Sequence, residues 1–137
     1  MERWVGTRWQ AAAKDERGET SVGSVLLFPV LLLGLFMVIQ LLLGVYVRAV
    51  ASAAATDAAV LTAQEGATAA QGSAYAQGFI LDQAGGLVLP GELNVTVTKS
   101  DEFAEVTVTG QTRLLWFIRL DSSASAPVER FEPQVTP

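Results

Sequence analysis

The sequence predicts a membrane-anchored α+β fold, in which a long N-terminal transmembrane helix continues outside the membrane and leads into a small antiparallel β-sheet. Three observations predict it: residues 22–47 contain no charged side chain, residues 48–86 are very rich in alanine, and apolar and threonine side chains alternate further on. The chain accordingly divides into a cytoplasmic leader (residues 1–21), the span (22–47), an Ala-rich extramembrane helix (48–86) and a small β domain with a loose C-terminal tail (87–137).

Residues 22–47 are long enough to cross a bilayer. At about 1.5 Å per residue they form a helix of about 39 Å, against a hydrocarbon core of about 30 Å. A backbone that crosses lipid has to satisfy its own hydrogen bonds, and a helix is the only way for one segment to do so. The alternative is a helix buried in a soluble core, but such helices rarely run this long without a charge.

Basic residues predict how the span is oriented. Arg3, Arg8, Lys14 and Arg17 precede it, whereas Arg48 is the one basic residue in the stretch that directly follows it. Lys and Arg near the ends of a span set its orientation, so we expect a cytoplasmic N-terminus and a C-terminal domain outside. Beyond Arg48 the chain carries four basic residues against ten acidic ones. This balance leaves no basic stripe and argues against nucleic acid as a partner.

A secretory signal peptide is the alternative interpretation of the N-terminus. Its apolar region would run for about 7–15 residues and end in an A-x-A-like cut. Ala49, Ala51 and Ala53 have the spacing of such a cut. The apolar run before them is too long for a signal peptide, which favours a retained anchor.

The junction between leader and span resembles the N-terminus of TadE-like proteins, the minor pilins or pseudopilins of tight-adherence (Flp-type) pilus systems. The run Asp-Glu-Arg-Gly-Glu-Thr-Ser-Val (residues 15–22) leads straight into the apolar helix, and Pro29 and Gln40 lie where that family has a proline and a late polar residue. A Val-Thr-rich hairpin followed by residues 123–131 extends the similarity. The resemblance implies a structural subunit of a pilus or related secretion machine. Its partners would be membrane lipid, other pilin-like subunits and pilus-assembly membrane proteins.

The resemblance also implies a processing site. In TadE-like proteins a short basic leader ends in glycine, which makes Gly18 and Glu19 the candidate cleavage site for a prepilin peptidase. An uncut membrane anchor is the open alternative. The family commonly has a glutamate five residues after the leader glycine, where it pairs with a neighbouring subunit's new amino terminus. Gly23 occupies that position here, which leaves incorporation into a filament open.

Five residues of the span are candidates for packing against another helix: Gly23, Pro29, Gly34, Gln40 and Gly44. Proline removes one backbone donor and predicts a kink. The glycines allow a second helix to approach closely, although their spacing is not the small-xxx-small pattern. The amide of Gln40 predicts either an interhelical hydrogen bond or a position near the outer headgroups, where water is available.

The residues after the span predict a helix and then a hairpin. Alanine favours helix throughout residues 48–86, and Gly66, Gly72 and Gly78 are positions where this helix could break. Strand periodicity at residues 93–98 and 103–109, around a polar turn, predicts an antiparallel hairpin. Residues 123–126 alternate serine and alanine and predict a further edge strand.

Between the hairpin and that last strand, five large apolar residues lie between two arginines. The segment comprises Arg113, Leu114, Leu115, Trp116, Phe117, Ile118 and Arg119. It is too short to span a bilayer. Three interpretations remain: a buried strand or core segment, an interfacial loop that dips into the outer leaflet, and a contact surface for another subunit.

The residue types required for most catalytic sites are missing. Without cysteine or histidine, the chain has no disulfides, thiol chemistry or histidine-based sites. Lys99 and Ser100 lie on a predicted exposed turn rather than in a pocket, and Asp101, Glu102 and Glu105 are better explained as a solvated edge than as a calcium site. We therefore expect no catalytic site, cofactor, metal or small-molecule substrate. An uncleaved, membrane-anchored accessory protein that binds an envelope component is the alternative function.

Overall fold

The computed structural model describes residues 6–114 and 118–129, and of residues 6–21 it describes the backbone only. Its elements are helices α1 (Gly6–Ala63) and α2 (Ala69–Ala84) and strands β1 (Asn94–Lys99), β2 (Phe103–Gln111) and β3 (Arg119–Pro127). The long apolar N-terminal helix and the three-stranded antiparallel sheet confirm the predicted fold class.

The chain forms two compact units, Met1–Ile39 and Gln40–Pro137. The described part of the first unit is helix alone. The second unit, here called the head domain, contains the last part of α1 together with α2 and the sheet. Helix α1 continues through Pro29 without a break.

Helix α1 ends where the backbone turns at Gly66. That residue has a φ of 79°, a left-handed conformation that glycine adopts without a steric penalty. Of the three glycines named above, the break therefore falls at the first. A capping box then starts α2: the Gln71 backbone N–H donates to the Thr68 hydroxyl, and the Thr68 backbone N–H donates to the Gln71 side chain.

The sheet has the order β1-β2-β3, with β2 in the centre. Val106 on β2 lies opposite Val97 on β1 and Ala124 on β3. The predicted hairpin is present, and the third strand begins at Arg119, four residues before the predicted start at Ser123. Because side chains alternate across a strand, one face of the sheet is apolar and the other carries Thr, Ser and charged residues.

The apolar face of the sheet shares one core with α1 and α2. The buried residues in the part of α1 inside the head domain are three and four positions apart, so they lie on one face of the helix. The apolar residues on this face are all alanines and valines: Val47, Val50, Ala51, Ala54, Ala55, Ala58, Ala59 and Ala63. Helix α2 contributes Gly72, Ala76, Ile80 and Ala84. A core built from alanine brings the helix backbones close together.

The five elements of the head domain run alternately in opposite directions. At one end, here called the base, the Tyr46 hydroxyl donates to the Gln83 carbonyl at 3.2 Å. At the opposite end, the tip, the Lys99 Nζ donates to the Ala67 carbonyl at 2.8 Å. Strand β2 runs from tip to base and β3 runs back, so the connection between them lies at the base.

Candidate membrane and subunit contacts

The apolar stretch of α1 that precedes the head domain is exposed in the isolated chain. Every residue from 22 to 39 is exposed, and the large apolar side chains among them are between 45% and 68% exposed. Among the described residues, α1 is the one helix long and apolar enough to cross a membrane. No described atom lies within 4 Å of a Cβ placed on Gly23 or Gly34. Both glycines and the exposed Pro29 therefore stay available for contact with lipid or another helix.

Gln40 differs from its neighbours because it is only half exposed. Its Oε1 atom is buried and accepts no hydrogen bond from the described part of the chain. A buried acceptor without a donor costs about 1–3 kcal/mol. Gln40 is therefore the predicted packing residue whose side chain still lacks a hydrogen-bond donor.

Gly44 is the packing residue that the head domain itself uses. A Cβ placed on Gly44 would lie 3.5 Å from the Cδ1 atom of Ile118. The Thr112 backbone N–H and hydroxyl both donate to the Ile118 carbonyl, each at 3.4 Å, and so close the β2–β3 connection. This connection consequently packs against a part of α1 that belongs to the apolar run of residues 22–47.

A groove opens beside this contact. It has a volume of about 250 Å³ and is lined by Leu41, Gly44, Val45, Arg48 and Ile118. Leu41 is 60% and Val45 67% exposed. The groove therefore has apolar walls, a glycine that leaves room at its floor, and a single cation at its edge.

Every arginine described in the head domain lies at its base. Arg48 lies on α1 one turn after Gly44, Arg113 follows the end of β2, and Arg119 begins β3; all three are exposed. Arg119 borders a separate hollow of about 320 Å³ that it shares with Glu92 and Asp121. At the tip, the described cation is Lys99, whose Nζ donates to the Gln64 and Ala67 carbonyls at 3.1 and 2.8 Å.

The structure divides the segment from Arg113 to Arg119 among different environments. Leu114 is half-buried and packs on the core, and Ile118 lies against Gly44. Arg119 belongs to β3 rather than to the connection. Leu115, Trp116 and Phe117 lie outside the described residues.

The remaining predicted positions form no chemical centre. Gly18 and Glu19 lie within α1, where the structure describes the backbone alone. Asp101, Glu102 and Glu105 are exposed at or near the turn between β1 and β2. In the described part of the chain, no group of three or more acidic side chains is arranged to hold a metal ion.

The sequence alone does not predict the groove contact of Arg48 or the close contact between Thr62 and Gly72. The spacing of four residues between Gly44 and Arg48 is the available signal, because it places the two on one helical face. Gly72 does not break a helix, as its position allows, but is buried inside α2. Nothing in the local sequence distinguishes a glycine needed for close packing from one that ends a helix.

Comparison with known families adds one match. Residues 18–60 match the family model described as TadE-like protein. Comparisons with curated proteins and with solved structures found no match. The matched segment contains the leader glycine, the apolar run and most of the α1 residues buried in the head domain. The resemblance stated from the sequence is confirmed over these residues, and it links the chain to a structural, pilus-associated family.

Proposed function

We propose that this chain, TadE-like over residues 18–60, is a minor pilin-like or pseudopilin-like subunit that assists assembly of a tight-adherence pilus or a related secretion machine. It acts by packing and carries out no catalysis. Residues 22–47 anchor it in the cell membrane, with the N-terminus cytoplasmic and the head domain outside. The observation that carries the proposal is that the TadE-like segment coincides with a bare apolar helix that also supplies part of the head domain's core.

Contact with other subunits would begin in the membrane. The apolar side chains of residues 22–39 have no partner among the described residues, and lipid alone does not drive helices together. Gln40 can supply a specific attraction, because its Oε1 lacks a donor and its half-exposed side chain can turn towards a second helix. An interhelical hydrogen bond there would contribute about 0.6–2 kcal/mol to association.

Co-purification from native membranes tests this proposal. The tagged full-length chain, extracted in mild detergent, is expected to retain pilin-like subunits or pilus-assembly membrane proteins, identified by mass spectrometry. Gln40→Leu is expected to lower their yield, whereas Leu42→Ile, an exposed apolar exchange two residues away, is expected to leave it unchanged. Recovery of the chain without any such protein, under conditions that preserve the assembly machinery, would contradict the proposal.

The uncleaved accessory protein is the second candidate, and Gly23 favours it, since TadE-like proteins commonly have glutamate there. Mass spectrometry of the mature N-terminus separates the two functions. Processing after Gly18 predicts a chain that begins at Glu19, and the accessory function predicts the intact leader. If the chain is processed but stays out of filaments, we expect Gly23→Glu to increase the amount found in sheared pili.

A further inference from the structure

We infer that the groove beside Gly44 binds one phospholipid from the membrane leaflet that faces the head domain, with an acyl chain against Leu41, Val45 and Ile118 and the phosphate at Arg48. This inference rests on the proposed function to the extent that it takes α1 to cross the membrane. It adds a lipid-binding site to the proposed function: a bound lipid, as well as the span, would hold the head domain at the surface of the bilayer.

The shape of the groove depends on Gly44. Its missing side chain leaves space between the helix backbone and Ile118, whose Cδ1 atom would be 3.5 Å from an added Cβ. Around this floor the walls are aliphatic, and the volume of about 250 Å³ is left unfilled by the described side chains. Pockets that enclose whole drug-sized ligands measure about 300–1,000 Å³. This smaller groove suits a segment of a flexible apolar chain.

The chemistry at the edge of the groove matches a lipid headgroup. Arg48 is exposed, and no ion pair joins it to another described side chain. A guanidinium group binds phosphate oxygens through two parallel hydrogen bonds. The long aliphatic part of arginine also lets the charge reach a headgroup while its methylenes cover apolar surface.

The depth along α1 is also right for a headgroup. A hydrocarbon core of about 30 Å takes about 20 of the 26 residues in the apolar run 22–47, so its outer edge falls between Leu42 and Val47. With the edge near Val45, the floor and walls of the groove lie at the hydrocarbon boundary and Arg48 lies about 4.5 Å beyond it, within reach of the phosphates. Leu41 and Val45 continue the exposed apolar surface of the preceding residues. The groove thus opens onto surface already expected to face lipid, which favours a lipid occupant over a segment of protein.

Photo-cross-linking tests the inference. The full-length chain is reconstituted in nanodiscs that contain a phosphatidylglycerol with a diazirine in its acyl chain, and labelled peptides are mapped by mass spectrometry. Labelling is expected at Leu41, Val45 and Ile118. Gly44→Leu, which fills the groove, and Arg48→Gln, which removes the cation, are each expected to reduce labelling of Ile118 about tenfold, a loss equivalent to one charge-assisted contact. Gly34→Leu is the matched control, because no described atom lies within 4 Å of a Cβ placed on Gly34.

Two results would overturn the inference. One is equal labelling of Ile118 in the wild type and in the exposed-site variant Arg48→Gln, whose folding is checked by circular dichroism. The other is capture of a second copy of the chain, rather than lipid, by a photoreactive residue at position 118. Alkaline extraction of cell membranes that contain the chain separates this failure from that of the proposed function. Release of the wild type into the supernatant would refute the membrane anchor, whereas retention with unchanged labelling would refute the lipid site alone.

Discussion

At the scale of single residues, one missing methyl group allows α1 and α2 to come together. A Cβ on Gly72 would overlap the Thr62 hydroxyl and lie 3.4 Å from the Ala58 carbonyl oxygen. The Thr62 hydroxyl donates to that same carbonyl at 2.7 Å and is buried, so it cannot turn away into water. Gly72 is therefore required by the close approach of two helices and not by its own backbone conformation.

Gly72→Ala is expected to destabilise the head domain. Overpacking at a buried contact costs about 1–3 kcal/mol, and each kcal/mol lowers Tm by about 4–8 °C in a domain of this size. Thermal unfolding followed by circular dichroism in detergent micelles measures the change. Gly78→Ala is the matched control on the same helix. It meets nothing within 4 Å, so the loss of a mid-helix glycine should raise stability by about 0.5–1 kcal/mol.

A double-mutant cycle assigns the effect to the Thr62 hydroxyl. Thr62→Ala removes the atom that an alanine at position 72 would overlap, at the cost of its hydrogen bond to Ala58. We expect the double variant to lose less stability than the sum of the two single variants, since the residues are in direct contact. Additive losses would mean that another contact limits the approach of the helices.

At the scale of elements, α1 changes its role along its length. Its apolar residues from Val22 to Ile39 are exposed on all sides, while inside the head domain one face of alanines is buried and the other is exposed. Lipid accepts large side chains around the whole helix, whereas a close helix–helix and helix–sheet contact accepts only small ones. The change in composition along α1 is therefore what a passage from lipid into a packed domain would require.

Ala55→Leu is expected to cost more than Ala53→Leu. Ala55 is fully buried, so a larger side chain should overpack the core by about 1–3 kcal/mol. Ala53 is exposed on the same helix and should accept leucine within about 0.5 kcal/mol. Thermal unfolding of the two variants under identical conditions compares them. Equal losses would show that the alanine face is not tightly packed.

Lys99 joins the end of β1 to the end of α1 at the tip. Its ammonium group donates to the Gln64 and Ala67 carbonyls, where a cation also interacts favourably with the helix C-terminus. We expect Lys99→Met to destabilise the head domain by about 1–2 kcal/mol and Lys99→Arg to lose less. Urea unfolding measures the difference. If Lys99→Arg lost as much stability as Lys99→Met, the positive charge and the hydrogen-bond donor at this position would not contribute to the stability of the head domain.

At the scale of the whole molecule, the head domain depends on α1 for a large part of its core. Eight of the eighteen buried apolar residues described belong to α1 between Val47 and Ala63. The sheet and α2 alone would leave part of their inner faces open to water, at a cost of about 25 cal/mol for each Å² of apolar surface exposed. The TadE-like match ends at residue 60, so it includes seven of these eight α1 residues.

Two fragments test this dependence. We expect a fragment of residues 40–137 to give a dispersed amide NMR spectrum and a cooperative thermal transition. A fragment of residues 66–137, which keeps α2 and the sheet but lacks α1, should give a collapsed spectrum, because the core contribution of α1 is lost. A folded shorter fragment would show that α1 is dispensable for the head domain.

Strong local signals in the sequence are enough to predict part of this fold. A charge-free run longer than a bilayer is thick predicted the long apolar helix, and alternation of Val with Thr predicted the hairpin. The junction around Gly18 pointed to the TadE-like family. Tertiary structure decided which alanines form the buried face, that Gly72 packs rather than breaks a helix, that β3 begins at Arg119, and that Arg48 shares a groove with Ile118. Small residues carry almost no local preference for one face, and contacts between distant segments depend on how the elements are arranged, so these features depended on the assembled head domain.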